Sequence, residues 1–291
     1  MVILSWGGYL LIRGEITLGT LIGFYSFMNW IYEPINEITD LFVSAKKAAP
    51  VYERLKKVYE MREEECGRMP LPLFESASFA DVRFSYSDKE VLKGVDLSLH
   101  RGESVAIVGL SGSGKSTLVS LLPRYYDAKS GRILVNENDI KEYLLKDLRR
   151  KIVVVHQNDF IFNTTLKENI TLGESFSEEE FERAVAVACV DKFVGDLEKG
   201  YDTVVGERGS KLSDGQRQRV AIARAVIRKP EVLILDEATS GVDSKTEEEI
   251  FEGLKELGIT VIIVSHRLST IKKAERIVVL DGGEGGEPGN A

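Results

Sequence analysis

The sequence predicts an α/β domain, a parallel core sheet with an antiparallel part attached, preceded by transmembrane α-helices. Three observations carry that prediction. From about residue 77 to 281, short apolar runs alternate with helical periodicity, as in a sheet covered by helices on both faces. Inside that region GLSGSGKST (109–117) lies between a strand pattern and a helix pattern, the context a phosphate-binding loop requires. Ahead of it stand two apolar runs, MVILSWGGYLLI (1–12) and ITLGTLIGFYSFMNWIY (16–32), separated only by RGE.

Taken in order, the first elements are the apolar runs. Spanning a bilayer takes roughly 20 apolar residues, with about 17 as the lower limit. The second run meets that limit; the first is too short unless residues precede Met1. Trp6, Tyr9, Trp30 and Tyr32 sit toward the run ends, where aromatic belts lie. A buried helical hairpin of a soluble core is the alternative, and length and apolarity favour the membrane. The RGE connector holds one Arg, whereas 46–57 holds five Lys/Arg, so the positive-inside tendency places everything after Lys46 in the cytoplasm. Pro34 is expected to kink the second helix. The pattern stays helical but becomes charged to Glu65, and CGRMPLPLFES (66–76) then breaks it with Gly and Pro. Residues 1–65 are therefore read as the remnant of a transmembrane domain, 66–76 as a linker, and 77–281 as the α/β domain. The tail GGEGGEPGNA (282–291) is Gly-rich and acidic and is expected to be disordered.

Composition narrows the partners. The net charge of −8 argues against a nucleic-acid binder, which normally carries a basic face. Cys66 and Cys189 are too few for a disulfide framework and read as reduced thiols. No secretory signal is evident at the start of the chain.

In the α/β region, ASFADVRFSY and VLKGVDLSLH alternate as antiparallel strands should, and ESVAIVG reads as a buried strand. GKSTLVSLLPRYY is a helix pattern, followed by strand KIVVVHQ, a helix pattern over 177–198, helix DGQRQRVAIARAVIR and strand EVLILD. Helix 244–257 and strands TVIIVSH and RIVVLD complete it.

The chemistry lies at the strand ends. GLSGSGKST fits G-x-x-x-x-G-K-[ST], the Walker A pattern. Gly109, Gly112 and Gly114, with Ser111 and Ser113 between, let backbone amides face an anion, and helix-terminal amides add to the attraction. Lys115 would reach the terminal phosphates of ATP; Ser116, followed by Thr117, would ligate Mg²⁺. A flexible Gly/Ser turn is the bland alternative, and the strand–loop–helix context argues against it. EVLILDEATS (231–240) ends a buried strand in Asp236, suited to Mg²⁺, and Glu237, suited to accept a proton from attacking water. Alone it would be a solvated strand end. His266 follows strand TVIIVS and Gln157 follows KIVVV. Open α/β sheets bind ligands beyond their strand carboxyl ends, so the convergence of four such ends is what carries the site.

From about 75 to 281 the chain resembles the nucleotide-binding domain of ATP-binding cassette (ABC) proteins. LSDGQRQRVAIARA looks like the family's signature loop and helix, lying before ILDEATS in the family's order. The resemblance implies that Tyr86 in FSYSD stacks on adenine, against a plain reading as strand packing. It implies that Gln157 senses Mg²⁺ and water and contacts the membrane part, and that His266 is a switch histidine on the γ-phosphate. It also implies that Ser213, Asp214, Gly215, Gln216 and Asp243 act across a dimer on the partner's ATP. LLPRYYDAKSGRILVNENDI, FIFNTTLKENI and VVGERGSKLS resemble exporter-type domains, with Glu207 in the segment that couples to the membrane domain. GGYLLIRGEITLGTLIGFYSF followed by EPINEI resembles the end of an exporter membrane domain. An exporter half normally carries six such helices, so the chain reads as a carboxyl-terminal fragment. It also stops short of the family's last strand and helix.

The expectation is thus an ATPase half of a dimeric exporter, with ATP and Mg²⁺ as cofactors. It would be integral to the plasma membrane, in contact with membrane lipid and not nucleic acid, its ATPase domain cytoplasmic and its substrate unidentified. A soluble ABC ATPase acting on nucleic acid or ribosomes is the second reading, opposed by run 16–32 and by the acidic charge. A non-catalytic regulatory module is the third, opposed by the intact Lys115, Asp236, Glu237 and His266. One departure stands out. The family's signature usually reads Leu-Ser-Gly-Gly-Gln, and Asp214 replaces its first glycine. At an effective dielectric near 20, a carboxylate about 5–6 Å from a phosphate charge costs roughly 3 kcal/mol before screening. Asp at a helix start is also a good cap. Together with the retained Glu237, it favours the catalytic-Glu subunit of a heterodimer over a homodimer, the other arrangement open to a second half-transporter subunit.

Overall fold

A computed structural model describes residues 2–60, 64–87 and 89–286. The chain divides into two units between Glu64 and Glu65.

The first unit is two helices, α1 (Val2–Ile12) and α2 (Leu18–Tyr59), packed against one another. Thr17 starts α2 by accepting a hydrogen bond from the Thr20 amide, and Lys56 and Lys57 occupy its last turn, where the helix dipole favours cations. α2 continues through Pro34 and Pro50 and is not broken at the expected kink. The expectation that run 16–32 spans a bilayer is not met: no helix among the described residues is long and apolar enough to cross a membrane. The reason is local. Capping at Thr17 delays the helix to Leu18, and Glu33 ends the carboxylate-free stretch before the roughly 17 residues a span needs.

The second unit holds two sheets. Its elements are β1 (Ser76–Ser85), β2 (Glu90–His100), β3 (Ser104–Val108), α3 (Lys115–Leu121), β4 (Ser130–Val135), β5 (Asn138–Asp139) and α4 (Leu145–Lys151). They are followed by β6 (Ile152–His156), α5 (Leu166–Thr171), α6 (Glu178–Val187), α7 (Asp191–Val194) and α8 (Asp214–Val226). The last are β7 (Val232–Asp236), α9 (Ser244–Glu256), β8 (Thr260–Val264), α10 (Leu268–Ile271), β9 (Arg276–Asp281) and β10 (Glu284–Gly286). β2-β1-β4-β5 form an antiparallel sheet. The second sheet runs β10-β9-β3-β8-β7-β6, parallel from β9 to β6 with β10 antiparallel at the edge.

The continuous apolar runs are explained by burial on both faces. In β7, Leu233 and Leu235 join a core with α5, α6 and α8, while Val232 and Ile234 face another built from α3 and the antiparallel sheet. β8 divides in the same way, Val261 and Ile263 to the first core, Ile262 and Val264 to the second. Because β3, β6, β7 and β8 are parallel, their carboxyl ends open on one edge.

Three expectations are corrected here. The helix pattern over 177–198 is two helices, because the chain turns at Cys189, whose φ is 53°. Residues 66–76 pack as part of the domain: Leu71 and Phe74 are buried, the Phe74 amide donates to Glu231, and Lys151 Nζ meets both Glu231 Oε1 (2.7 Å) and the Pro72 carbonyl (2.9 Å). The Gly and Pro that mark a linker in sequence serve a turn whose apolar side chains fill the core. The tail is ordered to Gly286, since β10 pairs with β9 and the Lys93 amide donates to Gly283; residues 287–291 lie outside the described residues.

Candidate nucleotide site

The loop 109–114 leaves β3 and enters α3 with its glycines under close constraint. A Cβ on Gly109 would lie 2.1 Å from the Leu280 carbonyl oxygen and 2.8 Å from Ser113 Oγ, so only glycine fits against β9. Lys115 is buried and its Nζ donates to the carbonyls of Gly109 and Leu110, each at 2.9 Å. The ammonium thus ties down the rim of the loop its own helix follows. Ser113 Oγ is buried without a hydrogen-bond partner, a polar atom that an anion's oxygen would satisfy. Thr117 Oγ1 lies 3.2 Å from Tyr86 Oη, and the Tyr86 ring, more than half exposed, meets Phe84 and Tyr126 edge-on.

The neighbouring strand ends bring the acidic residues to this loop. Ser116 Oγ donates to Asp236 Oδ1 at 3.1 Å. A hydroxyl and a carboxylate sharing one spot are hard oxygen ligands of the kind Mg²⁺ takes together with phosphate oxygens and water. Glu237, the next residue, adopts φ 55°, a left-handed conformation that a non-glycine residue holds at a cost of order 1–3 kcal/mol. Its amide donates to the Val264 carbonyl at 2.9 Å, and its Oε1 lies 3.0 Å from His266 Nε2. Gln157 is farther out: its amide nitrogen is 3.5 Å from Ser240 Oγ, the outer limit of a hydrogen bond, and its side chain forms no hydrogen bond with Ser116 or Asp236 among the described residues. The phosphate loop, Tyr86, Asp236, Glu237 and His266 are therefore gathered, with Gln157 at the margin.

The signature residues form a second group. Ser213 caps α8, accepting from the Gln216 amide at 3.2 Å while Gln216 Oε1 accepts from the Ser213 amide at 2.8 Å, a reciprocal capping box. Asp214 is exposed and its carboxylate pairs with Arg217, whose Nη1 also donates to the Leu212 carbonyl at 2.7 Å. A Cβ on Gly215 would lie 2.4 Å from the Gly241 carbonyl, so α8 starts in close contact with the loop after β7. Asp243 caps α9, and the Thr246 amide it accepts from holds its carboxyl below the usual range. No hydrogen bond joins this group to 109–117 among the described residues.

Several residues of the site had no short motif to reveal them. His156 Nδ1 lies 3.7 Å from Asp236 Oδ2; hydrogen bonding to that carboxylate raises its pKa, and burial raises that of Asp159, which accepts from the His156 amide. Its position at the end of β6, one residue before Gln157, was the available signal. Gln218 is another: its Nε2 donates to Ser240 Oγ at 3.0 Å and its Oε1 accepts from the Gly241 amide at 2.8 Å.

 Gln218 thus ties α8 to the loop after β7, and a residue inside a helix pattern carries no motif for doing so. Arg267 likewise donates through Nη1 to the carbonyls of Thr239 (2.9 Å) and Val242 (3.1 Å). A cavity of about 820 Å³ opens beside this group, bounded by Gln157, Asp159, Glu207, Arg217 and Gln218 among others.

A family model described as ABC transporter matches residues 92–240. The chain belongs to the ABC transporter family. It is similar to the ATP-dependent lipid A-core flippase of Syntrophus aciditrophicus (strain SB), with 40% identity over 289 residues, covering 97% of this chain and 48% of that protein. It is equally similar to a putative multidrug export ATP-binding/permease protein of Bacillus subtilis (strain 168), 40% over 292 residues, covering 97% and 50%. Among solved structures, a bacterial Atm1-family ABC exporter with ATP bound matches with a TM-score of 0.78 and 34% identity, over 98% of this chain and 52% of that one. The chain thus spans about half the length of these ABC relatives.

Proposed function

We propose that this chain binds and hydrolyses ATP as the ATPase part of a dimeric ABC exporter in a membrane, with an unidentified substrate. The observation that carries the reading is the convergence of Lys115, the Ser116–Asp236 contact at 3.1 Å and the Glu237–His266 contact at 3.0 Å on one sheet edge. The descriptions of its relatives as a flippase, export proteins and an exporter support the transport half of the reading.

The residues divide the work as follows. Tyr86 offers its ring face to the adenine, and the amides of 109–114 wrap the phosphates. Lys115 exchanges the two carbonyls it now holds for phosphate oxygens, so nucleotide entry releases the loop rim. Ser116 and Asp236, with Gln157 drawn in from the margin, would hold Mg²⁺, which supplies positive charge against the phosphates. Glu237 accepts the proton of the attacking water, and His266 contacts the γ-phosphate. Ser213, Asp214, Gly215, Gln216 and Asp243 would face the ATP of a second subunit. Closure on ATP and reopening after hydrolysis would then switch the membrane part. Gln157 and Glu207 border one cavity, which supports their assignment to coupling with the membrane domain. The Asp214 substitution beside an intact Glu237 supports a heterodimer in which this chain keeps the catalytic carboxylate.

Glu237→Gln tests the reading. It should lower ATP turnover by about a hundredfold or more while ATP binding, followed by a fluorescent analogue, persists. Undiminished turnover would remove Glu237 from the role of base.

A further inference from the structure

Glu247 of α9 is wholly buried, and nothing in the reaction described above uses it. Its Oε1 accepts from Thr239 Oγ1 at 2.6 Å and from Thr270 Oγ1 at 2.8 Å. Its Oε2 accepts no hydrogen bond and lies 3.8 Å from Lys273 Nζ. Thr239 follows Glu237 in the loop after β7, and Thr270 follows His266 in α10. A carboxylate is seldom taken wholly out of water unless partners compensate it, and an apolar side chain of similar volume would often serve stability as well. The placement therefore calls for a use of the charge.

The ladder between β7 and β8 ends at the Asp236–Val264 pair. Beyond it, the Glu237 amide on Val264 is the last backbone link given by these strands, and the two segments continue as separate loops. What holds them in register past that point is side-chain bonding. Arg267 grips the carbonyls of Thr239 and Val242, and Glu247 draws the hydroxyls of Thr239 and Thr270 onto one oxygen. Hydroxyl-to-carboxylate bonds are short and strong, so this shared oxygen defines the spacing of both segments closely.

We propose that Glu247 is a positioning residue: it fastens the loop carrying Glu237 to the segment carrying His266 and so sets the 3.0 Å separation of their side chains. The inference rests on the proposed roles of Glu237 and His266 and extends them to a residue wholly buried behind them. It makes α9, whose first turn Asp243 caps by accepting from the Thr246 amide, the rigid member against which both catalytic segments are set.

The test uses the full chain in detergent, with whatever subunit it pairs with. Glu247→Gln keeps the shape and removes the charge; Thr239→Val and Thr270→Val each remove one donor. All three should lower kcat for ATP by about tenfold to a hundredfold with KM for ATP within about twofold, as expected when reacting groups are displaced by an ångström or less. The Thr239→Val/Thr270→Val double variant should fall no further than the worse single, because the two bonds act as one fastening. Glu247→Asp, which keeps the charge, should recover part of the rate lost in Glu247→Gln. Unchanged kcat per folded molecule in the threonine variants, or losses that simply multiply, would overturn the proposal even where the Glu247 variants fail to fold. Glu237→Gln run alongside separates the two levels. Full activity there overturns the base assignment and this inference with it; an inactive Glu237→Gln beside fully active Glu247→Gln and threonine variants overturns the role of Glu247 alone.

Discussion

Glu237 combines a left-handed backbone, an amide held by Val264 and a carboxylate at His266, an arrangement that stores local strain at the end of β7. Asp214 is a contrasting case. Its charge was expected to repel a partner's phosphate, yet its carboxylate is paired with Arg217 one turn along α8. Such pairing would lower the proposed repulsion without abolishing it, because the Asp214 side chain remains exposed. Asp214→Gly in the assembled dimer should therefore raise ATP occupancy at the site facing this loop, measured by photolabelling with an azido-ATP analogue. Equal occupancy in both proteins would defeat the proposed asymmetry. Ser116, Asp236 and His266 were legible in sequence because a motif or a strand end marked each. Gln218, Glu247 and Arg267 were not, because each bonds to at least one residue 22 or more positions away, which only folding brings close.

At the scale of elements, local rules account for most boundaries. α5, α6 and α8 each begin with a complete capping box, from Thr165, Ser177 and Ser213. Ser177→Ala removes the bond to the Glu180 amide and should cost about 1 kcal/mol, seen as an earlier midpoint in urea denaturation. The strands β3, β6, β7 and β8 were legible as apolar runs because burial on both faces leaves no polar alternation. The break at Cys189 was hidden, since the helical periodicity of 177–198 continues past it while the backbone turns to pack α7 and receive Arg219 on the Cys189 carbonyl.

At the scale of the whole molecule, the segment 66–76 shows how composition misleads. Its Gly and Pro mark a boundary, yet Phe74 is completely buried and its amide is bound by Glu231. Phe74→Ala should destabilise the second unit by about 3–5 kcal/mol, read as a shift of the urea unfolding midpoint. An unshifted midpoint would return the segment to the status of a linker. The same holds at the other end, where a Gly-rich stretch supplies β10 through pairing that its composition does not advertise. The sequence by itself determined the α/β class, the phosphate loop and the acidic strand end, because periodicity and contiguous motifs are local properties. Only the tertiary structure decided which strand ends share an edge, that Asp214 is paired, and that Glu247 accepts from both Thr239 and Thr270. Those relations depend on contacts between residues distant in the chain, and no local pattern encodes them.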